Sequence, residues 1–91
     1  AALAALVVVV DARHPAFPDD RRMVDWVAAR RLPFLVVATK ADKLGRGALA
    51  SHVADLGRGL GVEGGASVLP FSSVTRAGRQ ELLTFLKRFE P

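Results

Sequence analysis

The sequence contains no cysteine and no tyrosine. Without cysteine there is no disulfide framework and no thiolate metal site. Long apolar stretches are also missing. The longest, Ala1 to Val10, falls well short of the ~20 residues a membrane-spanning helix needs. It also lacks the basic leader and small-residue cleavage site of a secretory signal. These absences point to a soluble, cytoplasmic chain without membrane contact. No methionine precedes Ala1, and the chain opens inside a strand-like run. That start reads either as a processed terminus or as a piece of something longer.

What remains is globular in character. Half the residues are hydrophobic (51%) and 24% are charged, far from the profile of a disordered segment. Ninety-one residues allow one domain at most, with a thin core that buries only about 60–65% of the unfolded surface. Thirteen basic residues against nine acidic ones give a net charge of +4. The absence of cysteine and tyrosine inflates the isoelectric point to 10.7. A charge of this size suits nucleic-acid contact and ordinary solubility equally well.

Strand and helix patterns alternate along the chain. Leu3 to Val10 is a continuous, valine-rich apolar run, as in a parallel strand covered on both faces. Pro15 and Pro18 break the following loop. Asp19 or Asp20 then caps a helix reaching about Arg31, with Met23, Val24, Trp26 and Val27 at core spacing. Arg21, Arg22 and Asp25 occupy its outer face. Phe34 to Thr39 is a second buried strand, and Lys40 to Gly47 a turn-rich loop. Leu49, Val53, Leu56 and Leu60 mark the stripe of a second helix. Gly57, Gly59 and Gly61 weaken its end, and Gly64-Gly65 continues the loop. Val68 to Phe71 is a third strand, Ser72 to Gly78 a polar loop, and Leu82, Leu86 and Phe89 lie on the core side of a last helix. The order β-α-β-α-β-α predicts an α/β fold with a mostly parallel, doubly wound sheet in three layers. Ligands bind such sheets beyond the carboxyl ends of the strands. The loops at Asp11–Asp19, Lys40–Gly47 and Ser72–Gly78 are therefore where chemistry is expected.

The second loop reads Thr39-Lys40-Ala41-Asp42-Lys43, and the third strand ends in Phe71-Ser72-Ser73-Val74. A carboxylate at a strand end can accept two parallel N–H bonds from guanine, at N1 and at the 2-amino group. Sheltered charge-assisted bonds of this kind are worth about 1.5–3 kcal/mol each. Adenine has no matching donors. A lysine two residues earlier can lay its stem over the base, and a backbone N–H of the next loop can reach O6.

The Thr-Lys-Ala-Asp run and the later Phe-Ser-Ser resemble the guanine-specificity motifs of P-loop GTPases. With Val9-Val10-Asp11-Ala12-Arg13-His14-Pro15, Asp20, Met23 and the Asp42-Lys43-Leu44 that follows, they closely resemble the bacterial EngB (YihA/YsxC) GTPases. The resemblance covers nearly all of these residues but only the C-terminal half of that domain. It implies a single partial domain, residues 1–91, with the P-loop NTPase fold. It further implies guanine-binding residues: Asp42 for the base edge, Lys40 packed on base and ribose, and Ser73 offering its N–H to O6. Thr39 would hold the loop, Ser72 would shape the turn at Ser73, and Val74 stands where the family often has a longer side chain over the base. GTP or GDP, with Mg²⁺ in the intact domain, would be the ligands. The 50S ribosomal subunit or its rRNA would be the partner, in large-subunit assembly with a link to cell division.

No Gly-x-x-x-x-Gly-Lys-Ser/Thr phosphate loop occurs in the sequence, so none of these residues is expected to cradle phosphates, bind Mg²⁺ or hydrolyse GTP. Asp42-Lys43-Leu44-Gly45 spells a switch-type Asp-x-x-Gly, but in the wrong place. Two other readings stay open. Asp11 with Thr39, Lys40 and Ser72 could form a receiver-like, Mg²⁺-dependent phosphotransfer site, although the further acidic pair it needs is missing. Alternatively, the basic face at Arg21 and Arg22 could make this a non-catalytic RNA-binding module. Asp11 otherwise reads as a loop-structuring residue, His14 as a structural or surface residue, His52 as a solvated surface residue at the edge of the helical stripe, and Trp26 as core. The strand Leu3–Val10 is apolar and carries no charge, proline or bulge, so an unpaired edge there predicts self-association.

Overall fold

A computed structural model describes residues 5–62 and 68–90. Three parallel strands form one sheet in the order β1 (Leu6–Asp11), β2 (Phe34–Thr39), β3 (Val68–Pro70). The register sets Val8 opposite Val36 and Asp11 opposite Thr39, and Val36 opposite Val68. Helices α1 (Pro18–Ala29) and α2 (Arg46–Leu60) make the two crossovers, and α3 (Arg79–Lys87) follows β3. The alternation read from the sequence is the one observed. Leu3, Ala4 and the Gly64-Gly65 pair lie outside the described residues.

Alternation along the strands divides the apolar residues between two faces. Val8, Val10, Val36, Ala38 and Val68 join Val24, Leu56 and Leu60 in one buried cluster, with Leu49 and Val53 packed against it. Leu35 and Val37 of β2 point the other way and are buried as well. Val9 shares their face but is 62% exposed. The double coverage expected of the first strand therefore fails at Val9, although Val7 on the same face is half-buried.

The start of α1 follows from local chemistry. Pro18 occupies the first helical position after Phe17, where its missing N–H costs nothing. Asp20 reaches back to accept the Phe17 N–H at 3.2 Å. The helix stops before the expected Arg31, because Arg31 is left-handed (φ 56°) and Leu32 N–H bonds back to Val27 O. Val24 and Val27 are the buried pair. Met23 (49% exposed) and Trp26 (41%) are not core residues, contrary to their spacing. The Arg30 guanidinium lies 3.9 Å from the Trp26 ring centre and covers it instead.

Helix α2 runs through Gly57 and Gly59 rather than fraying at them, and ends at Gly61. Gly59 is needed for space: a Cβ there would come within 2.9 Å of Ala16 Cβ on the loop after β1. Leu82 of α3 is half-buried as expected, as is Phe89 in the turn just beyond the helix, but Leu86 is exposed and Phe85 takes its place on the inner side.

Candidate functional site: a cleft at the strand ends

The three strand-end loops are cross-linked at the carboxyl edge of the sheet. Ala12 N–H donates to Thr39 O (2.9 Å), and Thr39 Oγ1 donates to Val10 O (3.0 Å). On the other side, Ala41 N–H donates to Phe71 O (3.1 Å) and Phe71 N–H to Ala38 O (2.8 Å). Between these ties Lys40 adopts a left-handed conformation (φ 61°, ψ 32°), and Ala41–Lys43 forms a single 3-10 turn that aims Asp42 toward the third loop.

Ser72 is 1% exposed and sits beneath Asp42. Its Oγ donates to Asp42 Oδ1 at 2.8 Å and accepts the N–H groups of Val74 and Thr75, both at 3.1 Å. One hydroxyl thus fixes the carboxylate and closes the turn around Ser73. Gly78 allows that loop to return: its φ is +80°, and a Cβ would run into the Pro70 carbonyl oxygen. Among the described residues the Ser73 N–H meets no protein acceptor.

A cleft of about 470 Å³ opens over this framework, lined by Arg13, Thr39, Lys40, Asp42, Lys43, Phe71, Ser73 and Val74. Of the six residues singled out from the sequence, Thr39, Lys40, Asp42, Ser73 and Val74 line it, and Ser72 supports it from below. Val74 is 75% exposed and stands at the rim. Arg13, Lys43 and Phe71 are additional lining residues that sequence reasoning did not select. An Asp-x-Arg step at a strand end was the available signal for Arg13.

Asp11 is committed to local pairing. Its Oδ1 accepts Arg13 N–H (2.9 Å) and Nε–H (3.1 Å), and its Oδ2 accepts Nη2–H (2.9 Å). The hydrogen bonds from the Arg13 side chain and backbone hold its carboxyl well below the usual carboxylate range. That makes it a loop-structuring residue. Among the described residues no group of three or more His, Cys, Asp or Glu could hold a metal ion, and Asp11 with its paired carboxylate does not fit a Mg²⁺ ligand. His52 is half-buried, not a surface residue: its Nδ1 lies 2.9 Å from Ala12 O. Arg21 is tied to Asp25 (3.0 Å) and to Gly59 O (3.2 Å), joining α1 to α2 instead of facing solvent freely. No described helix is long and apolar enough to cross a membrane.

The fold is α/β, three parallel strands with three helices, and is consistent with part of a P-loop NTPase fold. The fold matches the crystal structure of GDP-bound aIF5B from Aeropyrum pernix with a TM-score of 0.72. That match is at 19% identity, over 91% of this chain and 20% of that one, and it concerns the fold alone. No family model matches the chain. Curated relatives do match, each named "Probable GTP-binding protein EngB". That of Symbiobacterium thermophilum is 41% identical over 94% of this chain and 37% of its own length. That of Desulfotalea psychrophila is 39% identical over 97% and 45%, and that of Bacillus cytotoxicus 38% over 96% and 44%. The resemblance to EngB read from the motifs is therefore borne out along nearly the whole chain. The chain spans less than half the length of these relatives.

Proposed function

We propose that this chain carries the guanine-recognition half of a GTP-binding domain, as a single partial unit over residues 1–91. The observation that carries the reading is the Ser72–Asp42 hydrogen bond at the floor of the cleft. It holds one carboxylate oxygen and leaves lone pairs for the N1–H and 2-amino donors of guanine. The left-handed Lys40 starts the turn that sends its stem along one side of the cleft. The Ser73 N–H would serve O6, and Val74, at the exposed rim, stands where a longer side chain would cover the outer face of the base. Thr39 secures the loop through Val10 O. The names of the EngB relatives support GTP as a ligand, and GDP belongs to the same reading.

In the whole protein the ligand would be held with Mg²⁺ by residues outside this set, and none of the groups described here hydrolyses it. The reading extends to a cytoplasmic protein that assists assembly of the large ribosomal subunit through the 50S particle or its rRNA, with a link to cell division. It also includes self-association of the isolated chain through the strand Leu3–Val10. The two rival readings have less support: Asp11 is bonded to Arg13, and Arg21 to Asp25 and to Gly59 O.

The test is Asp42→Asn in the full-length protein. The substitution replaces a pure acceptor with an acceptor–donor pair, which suits the C2 oxygen of xanthine better than the 2-amino group of guanine. Competition binding should show GTP weakened and xanthosine triphosphate relatively favoured. Unchanged preference would remove Asp42 from the base site.

A further inference from the structure

The strand register places Asp11 opposite Thr39, one residue before Lys40. Across that step Asp11 Oδ2 lies 3.9 Å from Lys40 Nζ while also accepting Arg13 Nη2–H at 2.9 Å. Arg13 grips the carboxylate from its backbone, Nε and Nη2 together, so both oxygens are fixed in direction. Arg13 and Lys40 both line the cleft, and two cations side by side would repel without an anion between them. The Asp11 side chain is 22% exposed and that of Lys40 57%: the anchor is the more sheltered partner and the lysine the more exposed one. Lys40 also begins its turn from a backbone conformation that disfavours side-chain-bearing residues, so its direction needs holding from outside.

We propose that Asp11 and Arg13 form a latch that positions the Lys40 side chain along the cleft, setting its stem against the base of a guanine nucleotide. This inference rests on the guanine reading above. Asp11 is in this view a positioning residue that acts through Lys40. Arg13 keeps the carboxylate charged and aimed, and its own charge is favoured first by Asp11 and, at longer range, by Asp42.

The test is a double-mutant cycle on GDP affinity in the full-length protein, with Asp11→Asn, Lys40→Ala and the pair. Asp11→Asn should weaken GDP about two- to fivefold, the range that partly exposed ion pairs give. In the Lys40→Ala background the same change should have no further effect. A merely structural role for Asp11 would weaken GDP equally in both backgrounds, and that result overturns the proposal, as does no weakening in the native background. Asp42→Asn measured in parallel separates the two levels. If it fails to alter base preference, the guanine reading falls; if it succeeds while the cycle is additive, only the latch falls. Should Asp11→Asn fail to fold, the native protein supplies the measurement. The Lys40 Cε methylene should be ordered by NMR at low salt and released at about 1 M salt, where exposed charges are screened. Full mobility at low salt overturns the latch.

Discussion

Replacing Ser72 with alanine removes one oxygen atom, and the structure says what that atom does. It donates to Asp42 Oδ1 at 2.8 Å and accepts two backbone N–H groups at 3.1 Å in a site that is 1% exposed. The bond to the carboxylate is charge-assisted, worth about 1.5–3 kcal/mol. The two N–H groups belong to Val74 and Thr75, which are exposed, so water can replace much of what they lose. The expected cost is about 2–3 kcal/mol of stability, read by urea unfolding of the full-length protein.

The same substitution should also register in binding. Asp42 would keep its charge but lose its fixed direction, and about 1.4 kcal/mol of lost alignment is a tenfold loss of GDP affinity. Inosine diphosphate lacks the 2-amino group and therefore makes one bond fewer to Asp42. The ratio of GDP to inosine diphosphate affinity reports that bond directly, and it should shrink in Ser72→Ala. Ser72→Cys, close in size but a weak donor, should fall between the two. A stability change within about 0.5 kcal/mol together with an unchanged ratio would show that Ser72 does not hold Asp42.

Gly78→Ala should destabilise by at least about 2 kcal/mol, since the left-handed backbone penalty adds to a collision with the Pro70 carbonyl oxygen; urea unfolding with a loss under about 0.5 kcal/mol would contradict the loop geometry. Self-association of the isolated chain through β1 should be reduced by Val9→Lys, because Val9 is the exposed position on that edge strand whereas Val8 is buried in the core. Light scattering that finds the oligomer unchanged by this charge would exclude pairing through that strand.

The parts legible in the sequence were those with short-range signatures. Valine-rich runs closed by Asp11, Thr39 and Phe71 can hardly be anything but buried parallel strands, and polar residues at their ends mark the edge where loops converge. Thr39-Lys40-Ala41-Asp42 and Ser72-Ser73 could therefore be placed in neighbouring loops. Their hydrogen bond could not, because it depends on a side-chain direction set by a turn thirty residues away. The apolar arc of α1 spans Met23, Val24, Trp26 and Val27, and periodicity alone does not say which side of a wide arc meets the sheet. The structure selects Val24 and Val27, and Arg30 shelters Trp26 instead. His52 was misplaced for a related reason: its partner, Ala12 O, is a backbone carbonyl that leaves no mark in composition, as is the Gly59 O that the exposed Arg21 reaches. The glycines of α2 lower helix propensity, but Gly59 meets a close approach that propensity does not describe.

On the guanine reading, the arrangement of the middle loop would let a few residues suffice for recognition of a flat, polar base. Lys40 and Asp42 leave β2 from either side of buried Ala41, whose own N–H is fixed to Phe71 O. Each of the two outer residues is then addressed by a short polar side chain at the end of a different neighbouring strand: Lys40 by Asp11 of β1, Asp42 by Ser72 after β3. The strand order β1-β2-β3 makes this possible, because only the central strand has a neighbour on each side. Asp42 is held by a short charge-assisted bond and Lys40 by a longer ion pair at 3.9 Å, so part of the ordering cost that binding would otherwise carry would be met in the folding of the sheet. On the guanine reading, the lysine would govern how the base is covered and the carboxylate which base is accepted. Because their supports lie on opposite sides of β2, the two properties have separate structural origins within one loop.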